Sequence, residues 1–275
     1  MTQPIFVATV FKSGTKLLEH LIESMTGLDI LTPNMSAGAD YGSAKPIVFE
    51  PGKFFIWHNV PSEQVKRCII EASARPIFLV RNIYDLAVSQ YFHFALDVDR
   101  EIGHGTRTAG YFTRMTVDQG ISLVLCGATS KEFHWHGFGY YLHQIQEMLR
   151  FSCEYPCHIV VYDRLVRDKC MEVNRLATFL DRTVSPGSME VLLDSSSLGA
   201  MREARASRGG TGAHFRKGVP GSHVEVLGAH HYDMINFLKF YHAPDLDALC
   251  ASLGYGDVVA DCRLSCVSAQ DGCVG

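Results

Sequence analysis

Short, β-branched and almost wholly apolar runs recur along this chain, each followed by a polar break and then by residues at helical spacing. The first run is Ile5 to Phe11. It shows no inward/outward alternation, as expected of a strand covered on both faces in a parallel sheet. Lys12 to Lys16 interrupt it, and Leu17, Leu18, Leu21, Ile22 and Met25 then follow at helical spacing up to Gly27, a C-terminal cap. Phe54 to Trp57 reads as a second strand, Pro61-Ser62 opens a helix running towards Ala74, and Pro76 to Val80 is a third strand ended by Arg81 and Asn82. Asn82 caps a helix through Ser89 to about Phe94, with Asp85 in the first turn, where a carboxylate meets the positive end of the helix dipole. Ile159 to Tyr162 reads as another buried strand and Val166 to Leu180 as an amphipathic helix. Strands alternating with helices predict an α/β fold with a central parallel β-sheet flanked by helices.

Composition sets the remaining bounds. With 275 residues, 47% of them hydrophobic and 20% charged, the chain can bury a sizeable core, which excludes a disordered or disulfide-stapled class. No linker or repeat divides it, so one domain over residues 1–275 is expected. The segments 97–110 and 195–223 lack apolar periodicity and read as flexible loops, either lids or disordered insertions. The net charge of -4 supplies no field for nucleic acid or an anionic membrane, so neither is expected as a partner. The start lacks a basic, cleavable leader, and no stretch reaches the ~18 apolar residues of a membrane span. Nine cysteines, an odd number, suit reduced thiols and a cytoplasmic location.

Ligands of open α/β sheets bind beyond the carboxyl ends of the strands, so the residues just after the runs carry the functional expectation. After the first run come Lys12, Ser13, Gly14, Thr15 and Lys16, a loop at a helix N-terminus suited to a phosphate. After the third come Arg81 and, on the helix, Ser89, which can meet one anion; the alternative is an Arg81 ion pair with Asp85. Arg216, Lys217 and Gly218 lie in the second long loop with Arg202, Arg205 and Arg208. Three basic elements point to one polyanionic ligand. Val10 to Lys16 lacks the glycine and the Gly-Lys-Ser/Thr order of a Walker A motif, which disfavours ATP chemistry.

Together these segments resemble the 3'-phosphoadenylyl-sulfate (PAPS) dependent sulfotransferases. Phe11-Lys12-Ser13-Gly14-Thr15-Lys16-Leu17 resembles that family's 5'-phosphosulfate loop, Pro-Lys-Ser-Gly-Thr-Thr-Trp, with Phe for Pro, Lys for the second Thr and Leu for the adenine-stacking Trp. Val80-Arg81-Asn82-Ile83-Tyr84-Asp85-Leu86-Ala87-Val88-Ser89 is similar to Cys-Arg-Asn-Pro-Lys-Asp-Val-Ala-Val-Ser, whose Arg and Ser contact the 3'-phosphate. Phe215-Arg216-Lys217-Gly218-Val219-Pro220-Gly221 resembles the Arg-Lys-Gly-x-x-Gly loop that closes over that phosphate. Trp57-His58-Asn59-Val60-Pro61 stands where the family has Lys-Thr-His-Leu-Pro, so the resemblance makes His58 the catalytic base. Tyr162 falls on a tyrosine that lies near adenine.

The resemblance implies a P-loop-like sulfotransferase fold and transfer of a sulfuryl group from PAPS to a hydroxyl or amine of a small-molecule acceptor, leaving adenosine 3',5'-bisphosphate. Lys12 would stabilise the leaving phosphate and His58 would take the acceptor's proton. No metal is required. Phe11, Trp57 and Phe92 are the candidates for the acceptor wall, and the acids Asp97, Asp99, Glu101 and Asp118 would favour a polar or cationic acceptor. Absence of an anchor favours soluble, secondary-metabolism enzymes, and a homodimer is compatible with the reading. The alternatives are a kinase-like P-loop transferase and a non-catalytic nucleotide-binding protein of the same fold. His134-Trp135-His136, His230-His231, Cys153-x-x-x-Cys157-His158 and Cys262-x-x-x-Cys266 read as packing or solvent-facing groups rather than metal sites.

Overall fold

The computed structural model describes residues 3–31, 49–96, 109–112, 114–129, 134–207 and 218–262. Arg208, Arg216 and Lys217 fall outside them, as do Asp97, Asp99 and Glu101. The chain divides into two compact units, residues 1–80 with 144–200, and residues 81–143 with 201–275.

The first unit holds a five-stranded sheet built from β1 (Ile5–Thr9), β2 (Asp29–Leu31), β3 (Lys53–Trp57), β4 (Arg75–Val80) and β5 (His158–Val161). Its order is β2-β3-β1-β4-β5, and every pairing is parallel. This is the predicted α/β architecture, and the apolar runs explain it. Phe6, Val7 and Ala8 of β1 and Ile77, Phe78, Leu79 and Val80 of β4 are shut off from solvent, each large side chain contributing about 1.5–3 kcal/mol. Phe6, Phe55 and Trp57 form a stacked row across β1 and β3, with ring centroids 5.7 and 5.9 Å apart.

Helix α1 (Thr15–Thr26) starts on Gly14 and ends on Gly27, which is left-handed at φ 67° and donates its N–H to the Glu23 carbonyl at 2.8 Å. Helix α2 (Glu63–Glu71) is capped by Ser62 and stops short of Ala74. Strand β1 is also shorter than its apolar run: it ends at Thr9, and Phe11 and Lys12 belong to the turn. Two further differences lie after β5. Tyr162 starts a helix, Tyr162–Arg167, instead of ending the strand. The segment expected as one helix over 166–180 is broken at Asp168, whose carboxylate accepts from the Met171 N–H at 3.1 Å and so caps a second helix, Lys169–Phe179. Part of the expected 195–223 loop is helical, Leu198–Ala206.

In the second unit, α3 (Ile83–Ala95) is capped as predicted by Asn82, whose Oδ1 accepts from the Tyr84 and Asp85 amides at 3.1 and 3.3 Å. The Asn82 amide group donates to the Asp257 and Ala260 carbonyls, both at 2.9 Å, tying the C-terminal segment to the start of α3. Tyr91 and Phe94 of α3 form an aromatic core with Phe112 and Trp135. Among the described residues no helix is long and apolar enough to cross a membrane.

Candidate active site

Parallel strands expose the same kind of end at one sheet edge, and three candidate elements start there within the first unit: the loop after β1, His58 after β3 and Tyr162 after β5. The loop after β1 is tightly wound. Ser13 donates both its N–H (3.0 Å) and its hydroxyl (2.6 Å) to the Val10 carbonyl. That places the buried Ser13 hydroxyl on the loop's own backbone. Lys12 has φ 71°, a left-handed conformation costing a non-glycine residue ~1–2 kcal/mol. Gly14 has φ 109°, and a Cβ there would lie 2.3 Å from the Tyr162 ring. Only glycine lets that ring close against the loop. The first turn of α1 carries no acidic residue and no side-chain cap, so its amides and dipole are available to an anion.

The β1–β3 register pairs Ala8 with Trp57, which brings the next residues, Thr9 and His58, side by side. Thr9 Oγ1 lies 2.9 Å from His58 Nδ1, and Thr15 Oγ1 donates to Thr9 Oγ1, also at 2.9 Å. Crowding by protein, and secondarily the nearby Lys16 ammonium, push the His58 pKa down to about 4, so the ring is neutral at physiological pH. His58 as a whole is exposed to solvent, with its Nδ1 edge turned to Thr9. The next residue is clamped: Asn59 Oδ1 accepts from the Val60 amide at 2.8 Å and from Gln144 Nε2 at 2.5 Å.

Lys16 is 61% exposed along its side chain and pairs with Glu19 at 2.7 Å. Glu19 is only 5% exposed, and burial raises its pKa despite the ammonium. Trp57 and Phe11 are half-buried.

In the second unit Arg81 is 7% exposed and Ser89 is half-buried on α3, as is Phe92. Asp85 is buried at 1% exposure, and its carboxylate takes the Gly221 N–H at 2.5 Å, the Ser222 hydroxyl at 3.2 Å and the His223 N–H at 2.9 Å. These bonds fasten the segment just after the Arg-Lys-Gly stretch to α3. Gly218 lies at φ 64°.

Sequence reasoning missed Thr9, Glu19, Asn59 with Gln144, and this role of Asp85. It also did not join Asp118 to His230 and His231. Their ligand atoms lie within 4.8 Å of one another, the spacing of a metal site. The hydrogen bonds give them another role. His231 Nδ1 accepts from the Gly228 N–H at 3.0 Å, which places the ring hydrogen on Nε2, facing the Asp118 carbonyl at 3.1 Å and the Ser122 hydroxyl at 3.3 Å. A neutral imidazole has no second lone pair to offer. His231 therefore caps helix Ala229–His242. Burial lifts the Cys157 thiol to about 12, which makes it a poor thiolate ligand.

Residues 53–238, about two thirds of the chain, match the family model described as "Sulfotransferase domain". The chain belongs to the PAPS-dependent sulfotransferase family. The match takes in His58, the Arg81–Ser89 segment and Gly218 and leaves out the Lys12 loop, where the sequence has replaced the family's Pro and Trp. Solved structures share the fold. Mouse sulfotransferase SULT7A1, complexed with PAP, is 17% identical at a TM-score of 0.67, over 93% of this chain and 89% of that one. Retinol dehydratase in complex with androsterone and inactive cofactor PAP is 12% identical at 0.59, over 89% and 81%. Retinol dehydratase with retinol and PAP is 13% identical at 0.55, over 86% and 81%. No curated protein matches the chain.

Proposed function

We propose that residues 1–275 act as one sulfotransferase domain that moves the sulfuryl group of PAPS to a hydroxyl or amine of a small-molecule acceptor, with Lys12 and His58 as the reacting-centre residues. The observation that carries this reading is the neutral His58 ring beside the strained, glycine-bearing loop at the carboxyl edge of the sheet. His58 Nε2 takes the proton of the acceptor as its oxygen or nitrogen bonds to sulfur. The bond from sulfur to the bridging phosphate oxygen breaks in line, and the electron pair leaves with adenosine 3',5'-bisphosphate, where the Lys12 ammonium meets the growing charge.

The uncapped first turn of α1 supports Gly14, Thr15 and Lys16 as donors to the 5'-phosphate, with Ser13 shaping the loop backbone. Tyr162, in contact range of Gly14, supports the adenine side. Arg81 and Ser89, with Arg216, Lys217 and Gly218, are assigned to the 3'-phosphate by resemblance. Phe11, Trp57 and Phe92 are assigned to the acceptor wall. The sulfonate carries a single negative charge, so the proposed step uses no metal. We place the enzyme in the cytoplasm, in secondary metabolism, as a monomer or homodimer. Incubation with PAPS and a metabolite extract, read by mass spectrometry, should yield products heavier by one sulfuryl group. An extract returned unchanged beside enzyme that binds the bisphosphate would contradict turnover.

A further inference from the structure

Thr9 is fully buried, sits on the last position of β1, and bridges two residues of different function. Among the described residues its hydroxyl has two partners, the Thr15 hydroxyl that donates to it and His58 Nδ1. A hydroxyl carries one hydrogen and two lone pairs. With Thr15 already occupying one lone pair, a buried Thr9 hydroxyl places its own hydrogen on the remaining partner, His58 Nδ1; otherwise that hydrogen is left unsatisfied away from water. The neutral ring then carries its hydrogen on Nε2, the nitrogen that a base must keep open.

We propose that the Thr15–Thr9–His58 chain is a relay that couples donor binding to the tautomer of His58, so that the base becomes competent once the 5'-phosphate is seated. The inference rests on the reading of His58 as base and of Thr15 as a phosphate contact at the uncapped start of α1. When Thr15 turns its hydroxyl hydrogen to a phosphate oxygen, its lone pairs become free to accept from Thr9. Thr9 then turns its hydrogen to Thr15 and offers a lone pair to His58. The ring answers with Nδ1–H donating to Thr9 Oγ1 and an open lone pair on Nε2. Proton count is conserved: each hydroxyl keeps one hydrogen, and the ring loses one at Nε2 to water and gains one at Nδ1 from water, through its solvent-reaching side. The exposed histidine exchanges these protons readily, whereas the buried Thr9 and the half-buried Thr15 decide which form is stabilised. The consequence is an enzyme whose base is idle without donor, since the acceptor's proton finds an N–H at Nε2 until the phosphate arrives.

Nitrogen-15 NMR of histidine-labelled full-length protein reads the tautomer directly and needs no acceptor. The free protein should show His58 as the Nε2–H form, and saturating adenosine 3',5'-bisphosphate should convert it to Nδ1–H. Thr9→Val keeps the shape and removes the relay: its His58 tautomer should no longer respond to the bisphosphate, turnover should fall about ten- to a hundredfold, and bisphosphate affinity should stay within about twofold. Thr9→Ser should restore the response. A free protein already in the Nδ1–H form, a tautomer indifferent to bisphosphate in the unmodified protein, or a Thr9→Val protein that responds normally would each overturn the relay. Normal turnover by His58→Ala together with a bisphosphate-driven tautomer change would overturn the base reading alone and leave the relay supported.

Discussion

Two histidine sites in this chain look alike by residue type and differ in what their second nitrogen does. At Asp118–His230–His231 three metal-type ligand atoms cluster, yet both nitrogens of His231 are spent, one on the Gly228 amide and one on Asp118 and Ser122. At His58, among the described residues, only Nδ1 has a hydrogen-bond partner, a hydroxyl that can either give or accept a hydrogen, and the ring lies beside a strained lysine loop. Geometry of clustering alone would have chosen the first site. The proposed chemistry falls on the second, because catalysis needs a nitrogen that has not been used for structure.

The comparison can be broken in several ways. Lys12→Ala should have the largest effect, lowering turnover by about 10²- to 10³-fold and weakening donor binding as well, because the ammonium meets the phosphosulfate in the ground state and more strongly as charge develops. A loss in turnover with unchanged donor affinity would remove Lys12 from the donor contacts. Arg81→Ala should weaken adenosine 3',5'-bisphosphate binding by roughly 30- to 150-fold, the ~2–3 kcal/mol of charge-assisted hydrogen bonds to a buried phosphate. Equal affinity in titration calorimetry would withdraw the 3'-phosphate from this residue.

Acid should act on both histidine sites. His58 and His158 are pushed to about 4 and His231 is lowered from the usual 6.5, in each case chiefly by burial. The unfolded chain therefore takes up protons between about 6.5 and 4 that the folded chain refuses. Stability is complete above that window and falls as pH drops through it. Thermal melts at pH 7.5 and 5 should show the lower midpoint at pH 5, and His158→Phe should narrow the gap.

Much of the sheet was legible because burial on both faces leaves a local mark: runs such as Ile5 to Thr9 and Pro76 to Val80 have no polar face to hide. Caps were legible for the same reason, since Asn82 and Gly27 act on amides and carbonyls a few residues away. Where local signals compete, the reading slipped. Val-Val-Tyr continues a strand by propensity, yet Tyr162 opens a helix, and Asp168 spends its carboxylate on a new cap within a continuous apolar period. Leu198–Ala206 is rich in helix formers, so its poverty in apolar residues was the wrong guide.

In the candidate site, His58 and the Lys12 loop stand out in the sequence through their motifs. Their partners do not, because those contacts join distant positions. Thr9 is 49 residues from His58, and Asp85 is 136 from Gly221. A buried Glu19 beside an exposed Lys16 looks from the sequence like an ordinary surface pair.

The most direct measurement is the steady-state rate of sulfated product from the mass-identified acceptor, taken side by side for the unmodified protein, His58→Ala and His231→Ala, with bisphosphate affinity measured on each. His58→Ala should lose about a hundredfold or more in turnover while keeping bisphosphate affinity within about twofold, and His231→Ala should retain turnover within a few-fold per folded molecule. A His58→Ala protein that turns over at the normal rate, or a His231→Ala protein that folds and binds bisphosphate yet loses turnover a hundredfold, would contradict the assignment of the chemistry to His58.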